Sequence, residues 1–312
     1  MGRLAHSAGP PGSTGPASAP RGGSIVKLRS VLASVGLVLT VAVAGCTAPP
    51  ESAQAPPTGV ERGPVPAVAA LGDSISVGFA ACGSAAPCEA TSWSTGEAPL
   101  VDSLRTRLAA AWDVDEIEAV NLAEPGATVS DVVGQARQVP EGMRGVVTVL
   151  VGANDVCGAS GGPPGAQEFA TAVDDVLATV RDRAPEAVVV LGSVPDLGAV
   201  FTVVTDASPA VGSRVRCAGL SGSNGDAPGE VATAVQSVRQ LIDAYNEALR
   251  LVCDADEACV WDSGAVHDWQ PVLEDLSEVD RFHPSAAGQA RLAELMWDAA
   301  VADPRAADVL LP

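Results

Sequence analysis

"VAALGDSISVGFA", residues Val68–Ala80, is the stretch on which the reading of this chain turns. Its opening belongs to an apolar run, Val65 to Leu71, that reads as a β-strand, and Gly72-Asp73-Ser74 ends it. A serine at such a corner has two readings. Next to Gly-Asp it can hold a strand-to-helix turn by bonding nearby backbone. Alternatively, Ser74 is a hydroxyl presented beyond the strand end as a nucleophile. The rest of the chain has to decide between them.

Working outward, apolar runs of strand length alternate with helical patterns. Ile117–Leu122, "GVVTVLVG" at Gly145–Gly152, Ala187–Gly192 and a short stretch near Val260 and Trp261 read as further strands. Leu100–Trp112, Val129–Gln138, Gln167–Arg183, Val231–Val252 and Ala286–Ala302 read as helices. Continuous β-branched runs separated by helices indicate a parallel sheet covered on both faces. The expected fold is therefore α/β, a three-layer α/β/α sandwich with about five parallel strands and no second domain or repeat. Ligands of such sheets bind beyond the carboxyl ends of the strands, so the polar residues found there become candidates.

Ser74 follows the first strand, and Gly126, in "NLAEPGATVSD", follows the second. Asn154 and Asp155, in "VLVGANDVCG", follow the third, and Ser193 and Pro195, in "LGSVPD", follow the fourth. "VDRFHPSAAG", Val279–Gly288, leads into the last helix and supplies Asp280 and His283. "GDSISVG", the isolated Gly126, "GAND" and "DRFH" resemble, in this order, the four blocks of the SGNH (GDSL) hydrolase family. The resemblance runs from about Val65 to Ala302. It implies a flavodoxin-like sheet and ester hydrolysis by a serine nucleophile. It also implies an oxyanion hole made from the backbone N–H groups of Ser74 and Gly126 and the side-chain amide of Asn154. The cysteine-rich decoration is similar to that of secreted actinobacterial lipases and esterases.

Residue chemistry leads to the same place. A neutral serine needs a base, and the base needs a carboxylate to fix its tautomer. Beyond Cys46 the chain has two histidines, His267 and His283. Asp280 can fold back onto His283 across the tight "DRFHP" turn, whereas His267 has only Asp268 as an immediate neighbour. Ser74, His283 and Asp280 are thus the expected triad, and Asp73 and Asp155 are expected to hold turns. "PDLGAVFTVV" supplies Leu197, Val200 and Phe201 as candidates to line an acyl pocket, with core packing as the competing reading.

The 312 residues carry 38 acidic and 18 basic side chains, a formal charge of −20, with 47% hydrophobic residues. That is enough apolar material for one large domain. The acidity excludes nucleic acid as a partner, since phosphates require Lys/Arg patches. "VKLRSVLASVGLVLTVAVAGC", Val26–Cys46, has a basic start, an apolar run too short to span a membrane and a small-residue site. "VAGC" resembles a lipoprotein lipobox, which makes Cys46 the expected lipidation site; an ordinary secretory signal is the alternative. Translation is expected to start at Val26. The expected organisation is an extension plus signal over residues 1–45, a Pro-rich tether over 46–64 and a hydrolase domain over 65–312. Location is then extracytoplasmic, with the lipid anchor as the only membrane contact.

The remaining six cysteines suit an oxidising compartment. Short loops suggest Cys82–Cys88 and Cys253–Cys259, which leaves Cys157 with Cys217. Without a Cys-x-x-Cys pair, no metal is expected. No cofactor is expected, and the chain is read as a monomer acting on a small-molecule or lipid ester. Acetylated polysaccharide and a catalytically silent binding module remain as alternatives.

Overall fold

The computed structural model describes residues 63–158, 162–207, 217 and 228–311. Cys46, the signal-like segment and nearly all of the tether lie outside the described residues. The strands are β1 (Ala67–Gly72), β2 (Ala119–Asn121), β3 (Arg144–Leu150), β4 (Glu186–Leu191) and β5 (Cys259–Trp261). They form one parallel five-stranded sheet in the order β2-β1-β3-β4-β5. The helices are α1 (Leu104–Trp112), α2 (Val129–Ala136), α3 (Ala153–Cys157), α4 (Ala166–Arg183), α5 (Leu197–Ala207), α6 (Pro228–Asp254), α7 (Ala265–Asp268), α8 (Ala286–Ala302) and α9 (Pro304–Leu310). Helices α2, α4 and α6 pack together on one face of the sheet, and α1, α8 and α9 on the other. This is the expected three-layer sandwich.

The central strands form because their side chains are apolar in both directions. Along β3, every residue from Gly145 to Leu150 is buried, and along β4 the same holds from Ala187 to Leu191. Thr148 is the polar exception, and its hydroxyl is bonded to that of Ser94 at 2.7 Å. Helix α1 starts at Leu104, four residues later than the apolar pattern predicts. Asp102 takes a left-handed conformation (φ 50°), and Ser103 caps the helix by accepting the N–H of Thr106, so the chain turns before it coils. Strand β2 is shorter than expected because it lies at the edge, although Leu122 N–H still reaches the carbonyl of Ala70. The stretch after β4 folds as helix α5, with Leu197 to Phe201 all buried.

The direction of strand addition reverses at β1: from β1 the chain moves outward to β2, then crosses back to β3 on the other side of β1. Such a switch point opens a crevice at the strand ends. Here those ends are level, with Gly72 paired to Leu150. Glycine is required at position 72, since its φ is +139° and a Cβ would sit 2.2 Å from the carbonyl oxygen of Leu150.

Candidate active site

Ser74 stands two residues beyond β1, in the turn that Gly72 opens. Asp73 fixes this turn by accepting the N–H of Ile75 at 2.8 Å. His283 arrives from the other end of the chain on the segment that leads into α8. That segment is tied down at both ends. Ser277 N–H donates to the carbonyl of His283 at 2.8 Å, while the Ser277 hydroxyl donates to the carbonyl of Ala80 at 2.7 Å. Ser285 caps α8 by accepting from Ala287 and Gly288, and its hydroxyl donates to the carbonyl of Glu274. The loop carrying the histidine is therefore bonded to the loop that follows the serine.

The three side chains line up. His283 Nε2 lies 2.8 Å from Ser74 Oγ, and His283 Nδ1 lies 2.6 Å from Asp280 Oδ2. The second oxygen of Asp280 accepts the backbone N–H groups of Phe282 and His283 at 3.0 and 3.1 Å. Burial pushes the Asp280 carboxyl up, but the bond and charge of His283 and these two N–H groups outweigh it and leave its pKa below the usual range. An ionised carboxylate only accepts, so the imidazole proton sits on Nδ1 and Nε2 is free to accept from the Ser74 hydroxyl. Phe79 and Phe282 flank the imidazole, with ring centroids 4.8 and 5.2 Å away. The arrangement is able to carry a proton from Ser74 to His283 while Asp280 holds the ring.

Gly126 lies in the loop after β2, and Asn154 lies on α3, which follows β3. Asn154 Nδ2 donates to the carbonyl of Ala127, the residue after Gly126, at 2.9 Å. Asp155, buried beside it, accepts the N–H of Val129 at the start of α2 with both oxygens, at 3.3 and 3.1 Å. The two loops are thus strapped together by adjacent residues. Gly126 has φ +87° and open space where a Cβ would stand. Burial raises both Asp73 and Asp155 to about 6, against the pull of their backbone N–H donors.

Other candidates lie elsewhere. The ring of His267 faces the carbonyl of Val194 at 3.2 Å through Nδ1 and Asp243 at 3.5 Å through Nε2. The Ser193 hydroxyl donates to Asp262 at 2.7 Å. The structure joins Cys82 to Cys88, Cys157 to Cys217 and Cys253 to Cys259. Among the described residues no cluster could hold a metal ion, and no helix is long and apolar enough to cross a membrane.

An apolar cavity of about 30 Å³ adjoins His283. Ile75, Leu150, Leu197, Val200, Trp269 and Phe282 contribute to its walls. Leu197 and Val200 line this cavity and, like Phe201, also pack in the core. Trp269 and Phe282 were not singled out in the sequence. Nor were Gln135 and Gln289, whose amides reach the backbone around Ser74; no local pattern marks them.

The model of a family described as the GDSL-like Lipase/Acylhydrolase family matches residues 70–291. No curated protein matches significantly. Among solved structures, an extracellular lipase from Streptomyces rimosus is similar at 18% identity and TM-score 0.45, over 75% of this chain and 99% of that one. A phospholipase A1 from Streptomyces albidoflavus is similar at 18% identity and TM-score 0.45, over 76% and 100%. A carbohydrate esterase family 2 enzyme with a carbohydrate-binding domain, from Corynascus thermopiles, is similar at 16% identity and TM-score 0.45, over 76% and 67%.

Proposed function

Because the chain belongs to the GDSL-like lipase/acylhydrolase family, we propose that it hydrolyses carboxylic esters through an acyl-enzyme on Ser74. The observation that carries this reading is the continuous bond path from Ser74 Oγ through His283 to Asp280, at 2.8 and 2.6 Å. In the first step Ser74 Oγ attacks the ester carbonyl as its proton passes to His283 Nε2. The carbonyl oxygen becomes an oxyanion, held by the N–H groups of Ser74 and Gly126 and by the amide of Asn154. His283 then returns the proton to the departing alcohol. Water, deprotonated by the same imidazole, attacks the acyl carbonyl, and Ser74 is regenerated with release of the acid. Asp280 stabilises the imidazolium in both steps.

The cavity beside His283 favours an apolar acyl group over acetyl, because burying methylene groups against Leu197, Val200 and Phe282 is favourable by about 0.8 kcal/mol each. The location proposed is the outer face of a bacterial membrane, with the domain held by lipid on Cys46 through its Pro-rich tether. The sequence "VAGC" supports it. A panel of acyl esters of rising chain length, run beside acetylated xylan and acetylated cell-wall glycan, tests the substrate class. kcat/KM is expected to rise beyond acetate esters; a maximum on an acetylated glycan would overturn the acyl reading. A fluorophosphonate probe is expected to label the wild type and not Ser74→Ala, whereas a binding module would take no label.

A further inference from the structure

Two glutamines from opposite faces of the sheet grip the backbone on either side of Ser74. Gly72, two residues before it, donates its N–H to Gln135 Oε1 at 2.8 Å and accepts from Gln135 Nε2 at 2.9 Å. Ile75, one residue after it, accepts from Gln289 Nε2 at 2.9 Å, while Gln289 Oε1 accepts the N–H of Trp93 at 3.0 Å. Both side chains are inaccessible, at 3% and 0% exposure. Each amide therefore spends its carbonyl and its NH₂ on main chain within a dry interior.

A strand that ends at a corner leaves peptide groups that its neighbours no longer pair, and burying them unpaired is costly. Gln135 meets this need for the Gly72 N–H and adds a second donor to the Gly72 carbonyl, which also accepts the N–H of Glu124 at 3.2 Å. Asn and Gln offer a donor and an acceptor side by side without depending on pH, and Gln has the longer reach. The positions of the two residues carry the argument further. Gln135 lies on α2, whose start is bonded to Asp155 next to Asn154. Gln289 lies on α8, one turn beyond the Ser285 cap and six residues after His283. One glutamine thus sets the serine turn against the elements that carry Gly126 and Asn154, and the other sets it against the element that carries His283.

We propose that Gln135 and Gln289 are positioning residues that fix Ser74 between its base and its oxyanion donors. The assignment rests on Ser74 being the nucleophile. A nucleophile and base held at hydrogen-bond distance react through a narrow range of geometry, and displacement by about 1 Å can cost roughly 100-fold in rate. The glutamines touch no reacting atom; they act through Gly72 and Ile75.

The test uses Gln289→Leu and Gln289→Glu in the full domain, with the wild type and Ser74→Ala as references. Gln289→Leu keeps the volume and loses both bonds. It is expected to lower kcat by about 10- to 100-fold with KM little changed, and to slow fluorophosphonate labelling in parallel. Gln289→Glu supplies a signature that a merely structural role would not give. Its protonated form still donates to the carbonyl of Ile75, while the ionised form repels that oxygen. Its kcat relative to the wild type is expected to fall about ten-fold as pH rises from 6 to 9, as the buried carboxyl loses its proton. Folded Gln289→Leu with wild-type kcat, or a pH-independent ratio for Gln289→Glu, would overturn the proposal. So would failure of both variants to fold, since that assigns the amide to the fold. Failure of the nucleophile reading is separate, because it appears as an unlabelled wild type or as an active Ser74→Ala.

Discussion

Ser74 and Ser193 each stand two residues past the end of a strand, and each has an aspartate and a histidine close by. Their wiring differs. In the first group the imidazole of His283 lies between the serine and the carboxylate, at 2.8 and 2.6 Å. In the second, Ser193 Oγ donates directly to Asp262 at 2.7 Å and accepts the backbone N–H of His267 at 2.8 Å. The ring of His267 points to Val194 and Asp243 instead. Asp262 also accepts the N–H groups of Ser193, Gly264 and Val266. The Ser193 proton is already held by a carboxylate, no imidazole faces its oxygen, and the residue is 0% exposed. The same three residue types make a bonded chain through an imidazole in one place and a structural knot in the other. The position of the ring decides which.

The serines should break this symmetry most sharply. Ser74→Ala is expected to lower kcat on a soluble ester by roughly 10³-fold or more, with a nearly unchanged melting temperature. Ser193→Ala is expected to keep the rate per folded molecule and to lose about 1–3 kcal/mol of stability, because Asp262 and the His267 N–H lose a buried partner. Initial rates and urea melts of the two variants make the comparison. Turnover by Ser74→Ala, or a folded but inactive Ser193→Ala, would remove the distinction between the groups.

The aspartates come next. Asp280→Asn keeps the shape but presents an NH₂ or a weak carbonyl to His283 Nδ1, so the ring loses its fixed tautomer and its partner for positive charge. A loss of about 10²- to 10⁴-fold in kcat is expected. Asp262→Asn replaces an acceptor for four donors with a group that must also place two protons, and about 2–4 kcal/mol of stability should go with catalysis per folded molecule preserved. The result that breaks the comparison is Asp262→Asn losing rate without losing stability.

How legible this was in the sequence varies by element. Strands β1, β3 and β4 were readable because both faces are buried and continuous apolar runs mark them, rich in valine in β3 and β4. Helix α5 gave no helical period because its first turns are buried all round, leaving no polar face to alternate with. Helices α3 and α7, of 5 and 4 residues, are too short to show a period. Ser74, Asp280 and His283 were legible because each sits in a short local block. Gln135 and Gln289 were not, since their partners lie 63 and 214 residues away and only the fold brings them together. The ring orientation of His267 is likewise a tertiary fact. Its place beside Asp268 in the chain gives no sign that it turns to Val194 and Asp243.

Asp73 sharpens the comparison at the smallest scale. Like Asp262 it is buried beside a serine, at 1% exposure, yet Ile75 N–H is its hydrogen-bond donor where Asp262 has four. Burial raises its pKa from 3.8 to about 6, with the Ile75 bond and the charge of His283 pulling the other way. The folded state therefore holds this proton more tightly than the unfolded chain does. The cost of burying the charge is absent below about pH 4, grows between 4 and 6, and is complete above 6. Asp73→Asn keeps the acceptor for Ile75 and removes the charge, so it should stabilise the protein by about 1–3 kcal/mol at pH 8. The gain should shrink to nothing near pH 4. Urea unfolding of both proteins at pH 8, 6 and 4 reads this directly: the midpoints should converge as pH falls. Parallel midpoints at all three values would mean that the Asp73 charge is as well accommodated as that of Asp262, and the contrast between one donor and four would carry no energetic weight.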